Sequence, residues 1–289
     1  MTQRAMTMEE SESSVRKQYS LFGAQIEIVL LDTSGHAAET VMDEAYALGV
    51  RLQRVFNIYD DQSEISHLNR ERTLRASPEF LHVLRLALDL CQRTKGAYDI
   101  SRGKQFLQRK RGAVVMPVES SYHDVKIEGR IVRLPHPDAW LDLGSIAKGY
   151  IAERMVAYLQ AQGATAGYVD ARGDLRFFGD PIVVGVQHPR QLGNLCSIRV
   201  SNVGVATSGD YQQYHQDYDE SHLLNKKEII SATVIAEDLT IADAYATILM
   251  VCDTPTRDRL LKGTLLKAMT VDKSLHVHYY NGFDTLVVP

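Results

Sequence analysis

The chain has 289 residues, of which 45% are hydrophobic and 24% charged, and these proportions are typical of a globular protein rather than a disordered or fibrous one. Its formal net charge of −4 leaves no basic surplus, so neither nucleic acid nor an anionic membrane is an expected partner. The three cysteines, Cys91, Cys196 and Cys252, are widely spaced in apolar surroundings, which favours reduced core residues over a metal site or a disulfide.

The first segment, residues 1–18, is polar, charged and rich in serine, and we expect it to be a flexible tail. It lacks the apolar stretch of a signal peptide, and the apolar segment 26–31 is far shorter than the ~20 residues that cross a bilayer. The sequence therefore predicts a cytoplasmic protein without a membrane anchor.

Hydrophobic periodicity predicts a strand over 25–31 and a helix over 37–56. A second helix has Ser77 as its N-cap and Pro78 at its first position. A hairpin over 125–134 and a third helix over 145–162 follow.

Strand-like segments dominate the second half of the chain. Five of them cover 167–169, 174–178, 182–186, 196–200 and 230–236. A helix around 241–252 and a shorter helix that begins at Thr254 follow. The last two strands cover 267–271 and 275–280. We see no repeat and no linker. These elements predict an α+β fold with mixed sheets and flanking helices in one body over 19–289, with a two-lobed arrangement as the alternative.

The first chemical motif is LDLGSIAKGY, residues 141–150, where small residues open a helix. Free N–H groups and the helix dipole favour an anion such as a diphosphate at a helix start. Lys148 would add a cation one turn in, and Asp142 could accept a hydrogen bond from a sugar or base. The alternative is an ordinary strand–turn–helix corner.

A second motif, ADAYAT, places Asp243 and Thr247 four residues apart on one helical face. A carboxylate and a hydroxyl are oxygen ligands suited to Mg²⁺, which completes its shell with phosphate oxygens and water. The alternative is a charge near the helix start beside a packed threonine.

A third motif, VATSGDY, suggests a polar turn in which Thr207 and Ser208 hold phosphate or ribose. His222 follows it and could act as a base, although it is one of 10 histidines. Tyr59, beyond the first long helix, could stack on a flat ligand ring or simply cap the surface. The sequence contains no GxGxxG, Walker, CxxC, HExxH or GxSxG motif.

Taken in order, these segments resemble the ApbE family of FAD:protein FMN transferases over residues 19–289. The resemblance rests on SEISHLN, TKGAYD, LDLGSIAKGY, the Gly173-Asp174 pair, VATSGDY, SHLL and ADAYAT. It implies an α+β flavin-binding fold that uses FAD and Mg²⁺ to transfer FMN to a threonine or serine of an acceptor flavoprotein.

The resemblance also implies roles for individual residues. Tyr59 would stack on the isoalloxazine, the segment Ala97, Tyr98 and Asp99 would line the cleft, and Asp142 and Lys148 would bind FAD. The remaining implied contacts are Phe22, Ser208 and Leu224 at the cofactor, Ser145, Asp243 and Thr247 on the metal, and His222 or Asp243 as the base.

The chain departs from the family pattern at three places. Phe22 replaces a methionine, Arg172 stands in place of a glycine pair, and Asn225-Lys226-Lys227-Glu228 replaces an Ile-Asp-Pro-x-Thr-Gly type of run. Two alternatives to transfer therefore stay open: an FAD pyrophosphatase that gives FMN and AMP, and an FAD-binding protein without turnover. The sequence names neither the acceptor nor an oligomeric state.

Overall fold

The computed structural model describes residues 14–31, 35–110, 112–210 and 228–289. Its centre is an eight-stranded antiparallel sheet. The strands in chain order are β1 (Val15–Leu21), β2 (Ala24–Leu31), β3 (Thr73–Arg75), β4 (Lys126–Glu128), β5 (Ile131–Arg133), β6 (Ala166–Asp170), β7 (Leu175–Phe178), β8 (Ile182–Gln187), β9 (Asn194–Val200), β10 (Gly204–Gly209), β11 (Ile229–Ala236), β12 (Lys267–Asp272), β13 (Val277–Tyr280) and β14 (Val287–Val288). The large sheet has the order β1-β2-β6-β7-β10-β11-β12-β13, and two three-stranded sheets have the orders β14-β9-β8 and β3-β5-β4.

Helices flank the large sheet. They are α1 (His36–Phe56), α2 (Glu64–Glu71), α3 (Pro78–Arg93), α4 (Gly103–Lys110), α5 (Gly144–Ala161), α6 (Leu239–Val251) and α7 (Thr254–Leu261). The predicted capping of α3 is confirmed, because the Ser77 side chain accepts a hydrogen bond from the Phe80 N–H at 3.1 Å. No helix in the described part of the chain is long and apolar enough to cross a membrane.

The two faces of the large sheet pack against different layers. On β2, the alternate residues Ile28 and Leu30 belong to the core under α1, α3, α5 and α6, whereas Val29 and Leu31 belong to a second core. That second core includes Val184 and Ile198 from the small sheet. Because strand side chains alternate in direction, one strand supplies both cores. The α+β architecture expected from the sequence is confirmed.

Strand β1 corrects the boundary of the predicted tail. Residues from Val15 onward pair with β2 in the register Val15↔Leu30 to Leu21↔Ala24, so part of the segment 1–18 is a strand. Charged side chains are common on edge strands, and here Arg16 forms an ion pair with Glu27 across the two strands at 3.1 Å. The polar composition that suggested a tail therefore belongs in part to an edge strand. Residues 1–13 lie outside the described part of the chain.

Candidate active site

The site is built where α5 and α6 cross at close range. The Gly149 N–H donates to Asp243 Oδ2 at 2.8 Å, and one turn further along α5 the Leu239 N–H donates to Glu153 Oε2 at 2.8 Å. Because the contacts pair rising residue numbers on α5 with falling residue numbers on α6, the two helices are antiparallel. A Cβ on residue 149 would lie 2.5 Å from the Leu239 carbonyl oxygen and 2.8 Å from Asp243 Cβ. Glycine at 149 is therefore what permits this approach.

Lys148 lies beside two buried carboxylates. Its Nζ contacts Asp174 Oδ2 directly and is 3.8 Å from Asp243 Oδ1, with about a quarter of its side chain exposed. Burial lowers the pKa of Lys148, the Asp243 charge opposes that shift, and the nearby Arg172 charge adds to it. The arrangement holds an ammonium group at the surface of a carboxylate pair, where it can meet an anionic ligand.

The three residues expected on the metal lie within one turn of each other along the helix pair. Ser145 is one turn before Gly149 on α5, and Thr247 is one turn after Asp243 on α6, so antiparallel packing brings both to the same end of the crossing. Ser145 Oγ lies 2.8 Å from the Tyr98 hydroxyl, and Thr247 Oγ1 lies 3.2 Å from Ser208 Oγ. Two hydroxyl pairs thus lie near this end, Tyr98 with Ser145 and Ser208 with Thr247.

The segment around Thr207 and Ser208 is a strand, and the expectation of a polar turn there is wrong. Both residues lie on β10, where Thr207 Oγ1 is 2.9 Å from Thr233 Oγ1 on β11. Two consecutive polar residues before a glycine are typical of a turn, and their hydroxyl partners on the strand, Thr233 and Thr247, are distant in the chain. Ser208 nevertheless reaches α6 through Thr247, so it lies at the helix crossing.

Asp142 and its neighbours hold the start of α5. Asp142 Oδ1 accepts the Gly144 N–H at 2.8 Å, and α5 has no side-chain cap from Leu143. Asn69, on α2, donates Nδ2 to the Leu141 carbonyl at 2.9 Å and accepts the Leu141 N–H at 2.7 Å. This two-way contact joins the SEISHLN segment to the LDLGSIAKGY segment.

Within the segment 97–99, Tyr98 is the residue that reaches α5. Its hydroxyl is buried, which raises its pKa and keeps it protonated at Ser145. The Asp99 carboxylate instead accepts the Ser101 N–H at 2.9 Å and the Ser101 hydroxyl at 2.7 Å, and it lies 3.5 Å from Arg102 Nε. Asp99 therefore organises its own loop, and direct contact of Ala97 or Asp99 with a cofactor stays a prediction.

The two aromatic candidates occupy loops. Phe22 is in the β1–β2 turn, where its N–H donates to Gln53 Oε1 at 2.6 Å and its carbonyl accepts from Arg172 Nη1 at 3.1 Å. Tyr59 follows α1, and 59% of its surface is exposed. Their contact with a flavin stays a prediction, as does the role of His222 and Leu224, which lie outside the described residues.

The donor set at the helix crossing suits a hard cation. Among the described residues no group of three or more His, Cys, Asp and Glu side chains could hold a metal ion. The expected ligands are instead one carboxylate, Asp243, one hydroxyl, Thr247, and the carbonyl of Ser145. These are oxygen donors, and the buried Asp243 supplies the negative charge. Such a set fits Mg²⁺ shared with substrate phosphate.

Two of the structurally decisive residues carried little signal in the sequence. Asp174 ties three elements together, since Oδ1 accepts the Thr207 N–H at 3.1 Å and Oδ2 contacts Lys148. Gly149 stands out in the sequence only as one residue of the LDLGSIAKGY motif. Both residues act through contacts with residues that are far away in the chain. The local sequence pattern therefore identifies them only as members of the motifs that resemble the family.

The fold is shared with proteins of known structure. The Vibrio cholerae flavin transferase ApbE superposes with a TM-score of 0.83 at 22% identity, covering 95% of this chain and 99% of that one. The ApbE protein of Thermotoga maritima gives a TM-score of 0.84 at 23% identity over 96% and 100% of the two chains.

The family follows from sequence. A Vibrio cholerae relative named FAD:protein FMN transferase is 26% identical over 248 residues, which is 74% of each chain. The ApbE family model matches residues 22–270. The chain belongs to the ApbE family.

Proposed function

We propose that this chain is an FAD:protein FMN transferase that uses Mg²⁺ to attach FMN to a threonine or serine of an acceptor flavoprotein and releases AMP. The observation that carries the proposal is that Lys148 lies beside Asp243, 3.8 Å from its Oδ1. The two motifs that supply these residues are distant in the chain, and the hydrogen bond from Gly149 to Asp243 that joins them spans 94 residues. Relatives that bear this name and match most of the chain support it.

In this proposal the diphosphate of FAD lies along the start of α5. Lys148 would bind a phosphate oxygen, and the positive end of the α5 helix dipole would lie on the same side as this anion. Asp142 would bind the nucleotide, Tyr59 would stack on the isoalloxazine, and Phe22, Ala97, Tyr98, Asp99, Ser208 and Leu224 would complete the FAD contacts. Their main effect on the reaction is alignment and charge neutralisation.

Asp243, Thr247 and the Ser145 carbonyl would hold Mg²⁺. The ion would supply charge neutralisation on the diphosphate. Asp243 keeps its position by accepting the Gly149 N–H, so the helix crossing itself orients the carboxylate.

The transfer step exchanges one phosphorus–oxygen bond for another. The acceptor hydroxyl oxygen forms a bond to the FMN phosphorus, the bond from that phosphorus to the bridging oxygen breaks, and AMP leaves with the bridging oxygen. The hydroxyl proton passes to Asp243 or His222, which are the two candidate bases. An acceptor protein is therefore required as a co-substrate, whereas water in its place gives hydrolysis.

The test is covalent flavin formation. The purified protein, FAD and Mg²⁺ are incubated with candidate acceptor flavoproteins, and flavin fluorescence is read on denaturing gels with AMP measured in parallel. Fluorescent acceptor with stoichiometric AMP is expected. AMP without labelled acceptor would favour the pyrophosphatase, and FAD retention without AMP would favour a binding protein. A cytoplasmic location stays a prediction.

A further inference from the structure

Arg172 occupies an unusual backbone position beside the candidate site. It lies in the loop between β6 and β7, where the Ala171 N–H donates to the Asp174 carbonyl at 2.8 Å and encloses a two-residue turn of Arg172 and Gly173. Both residues have positive φ, 64° and 92°. A turn of this kind favours Asn-Gly, because asparagine and glycine adopt positive φ at low cost and a long side chain does not.

The Arg172 side chain joins this turn to the β1–β2 turn. Arg172 is exposed, and Nη1 donates to the Phe22 carbonyl at 3.1 Å. Phe22 also has a positive φ, 56°, so one hydrogen bond joins two residues in the left-handed region from two different loops. Strain of this kind persists where the surroundings fix it, and it is concentrated at functional sites.

The turn that holds Arg172 also contacts Lys148. Asp174 ends the turn and contacts Lys148 Nζ, and Asp170, the last residue of β6, accepts the Gly173 N–H with Oδ1 at 2.6 Å. The Arg172 charge also adds to the lowering of the Lys148 pKa, so the two cations act on the same region of the molecule. Asp174 already contacts Lys148, and within the described ranges the side-chain hydrogen bond of Arg172 is to the Phe22 carbonyl. The rest of its planar fork is available to a phosphate, which Arg binds in bidentate fashion.

We propose that Arg172 is a second cationic binding residue for the diphosphate of FAD, acting with Lys148, and that its hydrogen bond to Phe22 fixes the guanidinium for this contact. The inference rests on the proposed function, because FAD is the ligand that it names. It adds a binding residue that the family pattern does not supply.

The variants separate charge from backbone strain. Arg172→Asn removes the guanidinium while placing at 172 a residue suited to the turn, so the protein should fold at least as well as the wild type. Arg172→Lys keeps the positive charge but removes the planar guanidinium with its paired N–H donors. Leu275→Asn is the matched control, since Leu275 also has a positive φ, 65°, in the β12–β13 turn, and its replacement changes no charge.

The measurement is equilibrium binding of FAD and of riboflavin, which lacks phosphate, to the four proteins, with thermal unfolding as a check on folding. We expect Arg172→Asn to weaken FAD binding at least fivefold with riboflavin within twofold of wild type. Arg172→Lys should fall between Arg172→Asn and wild type, and Leu275→Asn should match wild type.

Several outcomes would overturn the assignment. These are FAD binding by Arg172→Asn within twofold of wild type, an equal loss of riboflavin and FAD affinity, and a lysine variant as weak as the asparagine variant. Failure of the wild type to bind FAD would reject the proposed function as well. Wild-type FAD binding without any flavin transfer would reject transfer while leaving the binding role of Arg172 supported.

Discussion

Lys148 combines a buried stem with a charge that faces the candidate diphosphate site. Because burial lowers its pKa, Lys148 loses its proton at a pH below the ordinary value of about 10.4. An anionic ligand binds the protonated form, so FAD affinity should fall as the pH rises through that lowered pKa. Burial raises the pKa of the neighbouring Tyr98, which therefore stays neutral over the same range.

FAD dissociation constants between pH 7 and 10 test this prediction. Arg stays charged over the whole range, so Lys148→Arg should give a flatter pH profile, even if its affinity at pH 7 is lower. A wild-type affinity that is constant up to pH 10, or an arginine variant with the same decline, would contradict the role given to Lys148.

Thr247 offers a test of the metal ligands. Thr247→Val keeps the shape of the side chain and removes the hydroxyl, so we expect the Mg²⁺ concentration for half-maximal flavin transfer to rise about tenfold, the scale of losing one ligand contact. Thr247→Ser should retain wild-type behaviour. Titration of activity with Mg²⁺ at saturating FAD provides the measurement.

The control for Thr247 comes from a neighbouring hydroxyl pair. Thr233→Val removes a buried hydroxyl that lies 2.9 Å from Thr207, so it should cost stability, about 1 kcal/mol, without changing the Mg²⁺ requirement. A similar Mg²⁺ shift in both variants would show that Thr247 acts through packing alone.

At the scale of elements, the α5–α6 crossing depends on Gly149. Helix propensity alone would make Gly149→Ala stabilising by about 1 kcal/mol. The new Cβ would, however, meet the Leu239 backbone at 2.5 Å, so we expect a net loss of about 1–3 kcal/mol and a loss of flavin transfer. Urea unfolding and the transfer assay measure the two effects.

Gly49 on α1 is the matched helical control. A Cβ there would lie 2.7 Å from Met155 Sδ, a flexible side chain that can move, so Gly49→Ala should be much milder and leave transfer intact. Equal effects at 49 and 149 would contradict the view that Gly149 has a special role.

Sequence pattern predicted the elements with strong local signals. The period of 3.6 located α1, α3 and α5, and the Ser77-Pro78 pair fixed the start of α3. It failed for β1 and β10, since an edge strand is polar and the hydroxyls of β10 find partners on β11 and α6. The i,i+4 spacing of Asp243 and Thr247 was visible, but their meeting with α5 and Ser208 depends on tertiary packing.

At the scale of the whole molecule, ligand binding should raise the thermal stability. FAD at about 100 times its dissociation constant adds about 2.7 kcal/mol, which corresponds to roughly 4–5 °C in Tm for a chain of this size. Mg²⁺ should raise the Tm further when FAD is present. In Asp243→Asn the amide oxygen can still accept the Gly149 N–H, so the protein should fold and respond to FAD, but without the Mg²⁺ increment.

Differential scanning calorimetry with FAD alone, Mg²⁺ alone and both together measures these shifts. An Asp243→Asn protein with the same Mg²⁺ increment as wild type would place the metal elsewhere.

The most direct measurement is a crystal structure with FAD and Mn²⁺, the manganese located by its anomalous signal. We expect a manganese peak bonded to Asp243, Thr247 and a diphosphate oxygen, with Lys148 on the same diphosphate. A diphosphate bound away from the α5–α6 crossing, or manganese with no contact to Asp243, would contradict this expectation.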